Sequence, residues 1–165
     1  MARPTFEESR QEGGIHHRLN QLVGEWEGTT RTWFEPGKPA DESPWRGTIR
    51  PALGGRFVVH EYEGSLQGKP LAGMAIYGYH LDSDRYEMAW VDSFHNGSSI
   101  LFSKGANEGR GFGVRGSFEA PSGPPWGWRT EIQLPEPDQL VITHYVIPPE
   151  EQEAKAVETV YRRKS

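Results

Sequence analysis

From Gly24 to the C-terminus, short runs of alternating apolar and polar residues succeed one another, each closed by Gly, Pro, Asn or Asp. A period of two is the signature of half-buried strands. The runs predict ten of them, near 25–34, 46–53, 56–64, 71–80, 85–94, 98–104, 110–119, 127–134, 139–147 and 154–163. The only helical spacing precedes them: Ile15, Leu19, Leu22 and Val23 fall at i, i+4, i+7 and i+8. Residues 1–14 are polar and acidic and read as a flexible tail to one barrel domain over 15–165. Turn chemistry supports the division. Glu35-Pro36-Gly37, Gly54-Gly55 and Leu81-Asp82-Ser83-Asp84 are turns, and Asn96-Gly97 predicts a tight type I′ hairpin.

Ten strands in sequence order behind one short helix predict an all-β fold, a single antiparallel up-and-down β-barrel. Closure removes the edges an open sheet would expose; a β-sandwich is the alternative architecture. Glycines within strands (Gly47, Gly73, Gly78, Gly113, Gly116) fit the sharp bends of a small barrel. Alternation then assigns the interior. In 85–94 it turns Tyr86, Met88, Trp90, Asp92 and Phe94 inward, and in 126–134 Trp126, Trp128, Thr130, Ile132 and Leu134. Strands 56–64 and 139–147 carry apolar residues on both faces, so the directions of Glu61, Glu63, Glu158 and Arg162 stay open.

Composition narrows the function classes. The 165 residues carry a formal charge of −5 and no cysteine, with 12% aromatics. The charge argues against nucleic acid as a partner. The lack of cysteine removes disulfides, thiolate metal sites and cysteine nucleophiles. No run approaches the ~20 apolar residues of a membrane span, and no secretory leader precedes the first strand. A cytoplasmic protein that inserts into no membrane is expected.

Gly24-Glu25-Trp26 opens the first strand after a short helix, and Tyr161-Arg162-Arg163 closes the last. This pairing resembles the calycin superfamily, the lipocalin and fatty-acid-binding-protein-like barrels. There, a Gly-x-Trp packs its indole against a basic residue of the final strand. Leu22-Val23-Gly24-Glu25-Trp26-Glu27-Gly28, Leu53-Gly54-Gly55-Arg56-Phe57, Gly78-Tyr79, Tyr86 and Trp90-Val91-Asp92-Ser93 extend the likeness. Together they resemble a bacterial family of calycin-like barrels catalogued as a domain of unknown function. The resemblance implies a barrel and a ligand cavity over residues 16–163, with Trp26 structural under Arg162 or, by its better-packed face, Arg163.

Other motifs resolve to structure. Gly111-Phe112-Gly113-Val114-Arg115-Gly116 has the spacing of a dinucleotide-binding loop, but the following Ser117-Phe118-Glu119-Ala120-Pro121 cannot be the helix that motif requires. Six histidines occur without an H-x-H or H-E-x-x-H pattern, and His16-His17 diverge on a helix, so no metal is expected. Some bacterial barrels of this kind hold haem through a histidine close to the C-terminus. Here the final strand has none, and His144 is the nearest.

The leading reading is a module that binds a small apolar or amphipathic molecule, without a cofactor, in an aromatic-lined cavity. Tyr62, Trp90, Asp92, His95, Trp126, Trp128 and His144 are the expected lining. The alternative is a metal-independent acid/base enzyme of isomerase or cyclase type. Its candidate catalytic residues are Asp92, a carboxylate that alternation buries, and His95 just beyond it. A purely structural barrel that forms a homodimer is a third reading.

Overall fold

The computed structural model describes residues 2–165. Ten strands are present: β1 (Gly24–Thr32), β2 (Asp41–Ala52), β3 (Phe57–Leu66), β4 (Lys69–His80), β5 (Arg85–Asp92), β6 (Leu101–Ala106), β7 (Phe112–Phe118), β8 (Trp126–Glu136), β9 (Gln139–Ile147) and β10 (Ala154–Arg163). Every neighbouring pair is antiparallel, and β1 closes the ring against β10. β2 starts five residues before the expected position 46, at Asp41. Pro44 does not interrupt it, because at that point the strand pairs with β1 but not yet with β3.

Antiparallel order sends the connections to alternate ends. One end carries residues 53–56, 81–84, 107–111 and 137–138, with α2 (Ile15–Asn20) beside them. Asn20 Nδ2 donates to the Gly55 carbonyl and pins α2 there. Within the stretch read as a tail, α1 (Phe6–Ser9) forms one helical turn. Its Ser9 Oγ lies 2.8 Å from His16 Nδ1, and the Arg56 guanidinium covers Phe6 at 4.3 Å.

Trp26 closes this end. It is fully buried, and its Nε1 donates to the Leu22 carbonyl at 2.9 Å. The Arg163 guanidinium sits 4.3 Å from the indole centroid and donates to the carbonyls of Val23, Gln21 and Pro137. Arg162 faces outward, 3.7 Å from Glu136 and Asp138.

The interior is packed by rings that rest on glycines. A Cβ at Gly64 would collide with the Trp45 indole, one at Gly73 with the Tyr62 ring, and one at Gly47 with Tyr161 and His60. At these positions a missing side chain on one strand supplies the volume that a ring from another occupies.

Three expectations need correction, and the two directions left open in β3 are resolved. Phe94 is not interior: it lies past the end of β5, 49% exposed. Trp126 is only half-buried, at the rim beside Phe118. Glu61 and Glu63 point outward, paired with Arg50 and Arg46, because Val58, His60 and Tyr62 take the inward positions of β3. Asn96-Gly97 is not a two-residue hairpin. Only Gly97 has positive φ, and residues 93–100 form a longer loop. Asn96 Nδ2 reaches back to the Trp90 carbonyl at 2.6 Å, which fixes the wider turn.

Candidate functional site

The end opposite Trp26 is the mouth, framed by residues 33–40, 67–68, 93–100, 119–125 and 148–153. Just inside it lies Asp92, the last residue of β5. Its side chain is wholly buried, and it accepts four hydrogen bonds. Tyr62 Oη donates to Oδ2 at 3.0 Å, His95 Nδ1 to Oδ2 at 2.7 Å, Phe94 N to Oδ1 at 3.0 Å, and His95 N to Oδ1. Burial alone would push this carboxyl's pKa up. The His95 ring and the two backbone donors outweigh it and hold the pKa below the ordinary value, so Asp92 is ionised at neutral pH.

The geometry follows from local sequence. Period-two alternation points Trp90 and Asp92 inward, and the chain turns after Ser93, bringing the amides of Phe94 and His95 and the His95 ring onto the carboxylate. Across the barrel, Trp90 Nε1 donates to Tyr62 Oη at 2.7 Å, so indole, phenol, carboxylate and imidazole form one chain. Burial and the neighbouring Asp92 charge both raise the Tyr62 pKa, which keeps its proton in place.

Beside this chain stand three flat rings. Trp90 stacks on His144 at 5.0 Å and on Trp128 at 5.4 Å, and Trp128 on His144 at 5.4 Å. His144 Nδ1 accepts from Trp128 Nε1 at 3.2 Å and lies 2.8 Å from Thr130 Oγ1. An indole can only donate, so this nitrogen carries no proton. Burial, with the nearby His95, lowers the His144 pKa to about 3. His60, which the sequence reading left unplaced, lies deeper between Tyr77 Oη at 3.0 Å and Tyr161 Oη at 3.1 Å. Burial lowers its pKa to about 3 as well.

The structure therefore brings together Tyr62, Trp90, Asp92, His95, Trp128 and His144, and leaves Trp126 at the rim. What it does not form is the expected open cavity. The void among these side chains measures about 20 Å³, room for roughly one water molecule. The rings occupy the space a ligand would need. His144, the histidine nearest the C-terminus, packs against both indoles, with its Nδ1 facing Trp128 Nε1 and Thr130 Oγ1. Among the described residues no cluster of His, Asp and Glu is arranged to hold a metal ion. A larger hollow, about 510 Å³, lies outside the barrel between α2 and β7–β8, lined by Ile15, Leu22, Phe112 and Leu134 with Arg18 and Arg110.

Sequence reasoning missed His60 and Trp45, which face the same void. Apolar residues on both faces of β3 hid His60, since Val59 shares the outer face with Glu61 and Glu63 and Val58 the inner face with His60 and Tyr62, and Trp45 precedes the expected start of β2.

Residues 11–163 match the model of the family described as "Protein of unknown function (DUF1579)". The chain belongs to this family. The match spans α2 and all ten strands, so the family's unit is the closed barrel together with its helical cap. No curated protein matches it in sequence. Among solved structures, Rv2717c from M. tuberculosis is similar with a TM-score of 0.62 at 14% identity, over 92% of this chain and 98% of that one. The S-type phycobiliprotein lyase CPES from Guillardia theta is similar with a TM-score of 0.57 at 12% identity, over 98% and 99%. At these identities the likeness places the family member in a lipocalin-like fold, consistent with the calycin resemblance read from Trp26 and the last strand. Among the described residues no helix is long and apolar enough to cross a membrane.

Proposed function

We propose that the protein binds a small amphipathic molecule at the mouth of the barrel. The molecule's apolar body lies against Trp128 and Trp90, and its polar group rests on the His95–Asp92 pair. The observation that carries this reading is the Asp92 carboxylate, desolvated yet held ionised at the base of a loop and beside three stacked rings. Such a group is costly to bury, and its hydrogen bonds organise loop 93–100. Phe94 of that loop leans on Phe34 of the facing one at 6.4 Å, and both rings are exposed. Because the interior is full, binding requires this loop to move aside, and the cost of moving it lowers the affinity.

The test is titration of the folded protein with oleate and with 8-anilinonaphthalene-1-sulfonate, read by tryptophan quenching and probe fluorescence. Saturable binding is expected. Trp128→Ala should weaken it at least tenfold, and Phe94→Ala, which lightens the loop, should strengthen it. Absent binding of both probes would overturn the reading, as would binding indifferent to both substitutions, the outcome expected if the probe sits beside α2.

The Asp92–His95 contact favours one further reading. In the neutral ring, Nδ1–H donated to Asp92 leaves the lone pair on Nε2 of His95, as a general base requires. A ligand recovered by native mass spectrometry and returned to the protein in D2O should then gain deuterium at an acidic C–H. No gain over the protein-free rate would leave binding alone.

A further inference from the structure

The outer surface of the barrel is charged on most strands, as solvent requires. Arg46, Arg50, Glu61, Glu63, Arg129, Glu131 and Arg162 all point outward there. One sector departs from this. On the outside of β3–β6, Val59 pairs with Ile76, Ile76 with Ala89, and Ala89 with Phe102, forming an apolar row across four strands. Beside it Met74 pairs with Val91, and Ile100, two residues before Phe102, shares its face. On the other side the Phe57 ring lies over Gly78. Phe102 is 52% exposed and Ile100 70%, with Phe57, Met74 and Ile76 each more than a third exposed. These five side chains lie outside the barrel core, while Val59 at the end of the row is itself buried.

We infer that this face is the interface of a homodimer, with Ala89 near the two-fold axis. The first argument is area. The exposed parts of these side chains amount to on the order of 400 Å² of contiguous apolar surface, within the range of a monomer's largest patch, which is often functional. Adding a charged rim brings each copy near the roughly 800 Å² per partner that a standard interface buries.

The second argument is self-complementarity, which an isologous contact demands. Ala89 is a dip between two ridges, Ile76 on one side and Phe102 on the other. A two-fold axis running between β4 and β5 sets Ile76 of one copy into the dip at Ala89 of its partner and Phe102 over the flush Val59, and repeats both contacts on the far side of the axis. Both rims carry charges of both signs, Arg50 and Glu61 at β2–β3 and Arg85, Glu87 and Lys104 at β5–β6. No single-sign repulsion therefore opposes the approach of an identical face. A bilayer or an acidic or basic partner would call for a rim of one sign.

The full chain, 18.6 kDa, should sediment at about twice that mass at tens of micromolar. Ile76→Glu and Phe102→Glu should each produce a monomer with unchanged far-UV circular dichroism, whereas Thr48→Glu on the polar outside of β2 should remain a dimer. Because the chain has no cysteine, Ala89→Cys supplies a second reading that does not depend on charge. With a bismaleimide cross-linker of about 10 Å reach, matched to the spacing of two packed sheets, it should form a covalent dimer, and Thr48→Cys should not. A wild-type monomer at 100 µM together with no cross-link at position 89 would overturn the inference. So would a dimer that survives both glutamates.

Discussion

Acid should unfold this protein at a pH where most barrels of similar charge are still stable, because two histidines are buried neutral. His60 and His144 have pKa values lowered to about 3, in both cases chiefly by burial, against an ordinary 6.5. Between those limits the unfolded chain binds more protons than the folded one, so stability falls as the pH falls. Each group contributes about 1.4 kcal/mol per pH unit below 6.5. At pH 4.5 the loss is therefore about 3 kcal/mol per histidine and about 5 for the pair, a large part of a domain's 5 to 15 kcal/mol. His16, lowered by burial and by Arg56, adds loss of the same sign. Asp92 enters only below its ordinary 3.8, since its folded pKa is depressed. The window from pH 6 to 4.5 therefore isolates the histidines. Urea unfolding followed by tryptophan emission at pH 7.5, 6, 5.25 and 4.5 should show a slope near 2.7 kcal/mol per unit below pH 6. His60→Asn should be less stable at pH 7.5 but should lose about half of that slope. A wild-type stability constant to within 1 kcal/mol from pH 7.5 to 4.5 would refute the reasoning. An unchanged slope in His60→Asn would place the acid sensitivity elsewhere.

Trp26→Ala removes a fully buried indole, its hydrogen bond to Leu22 and the ring beneath Arg163; it should cost about 3 to 5 kcal/mol in urea unfolding, with any probe binding intact in the folded fraction. Gly64→Ala should cost about 1 to 3 kcal/mol by thermal denaturation, because the new methyl meets the Trp45 ring, and combining it with Trp45→Leu should cost less than the sum of the two single changes. Asp92→Asn keeps the shape of the site but weakens the acceptor for Phe94 N, His95 N and the His95 ring. Hydrogen exchange of the amides in 93–96 should accelerate at least tenfold, with the amides of β1 and β10 unchanged as the internal standard.

The architecture was legible because each of the ten strands has its own terminator and most carry a two-residue period. The pairing of Trp26 with a basic residue of β10 was implied by the calycin resemblance, and Arg163 takes that place. The interior was harder to read. Trp90, Trp128 and Tyr62 indicate an aromatic lining, but whether such rings line a cavity or fill it depends on what faces them. That is decided by Gly47, Gly64 and Gly73, whose missing side chains admit the rings. A glycine in a strand gives the same one-letter signal whether it bends the sheet or seats an indole. The mouth was misjudged for a related reason: alternation extended through Phe94 because nothing in the sequence shows that Asp92 caps the amides of Phe94 and His95 and ends the strand.

Rings seated on glycines also make this barrel a scaffold whose hollows can be chosen one at a time. Trp45 lies over Gly64 and stacks on Tyr62 at 5.1 Å, and the ten strands that hold them form a closed circle with no edge to part or slide. Truncating that indole would leave a void on the order of 100 to 150 Å³, large enough for a benzene-sized guest. The glycine beneath it keeps the backbone from filling the hole. A pocket of chosen position could thus be carved into a protein whose own interior is closed.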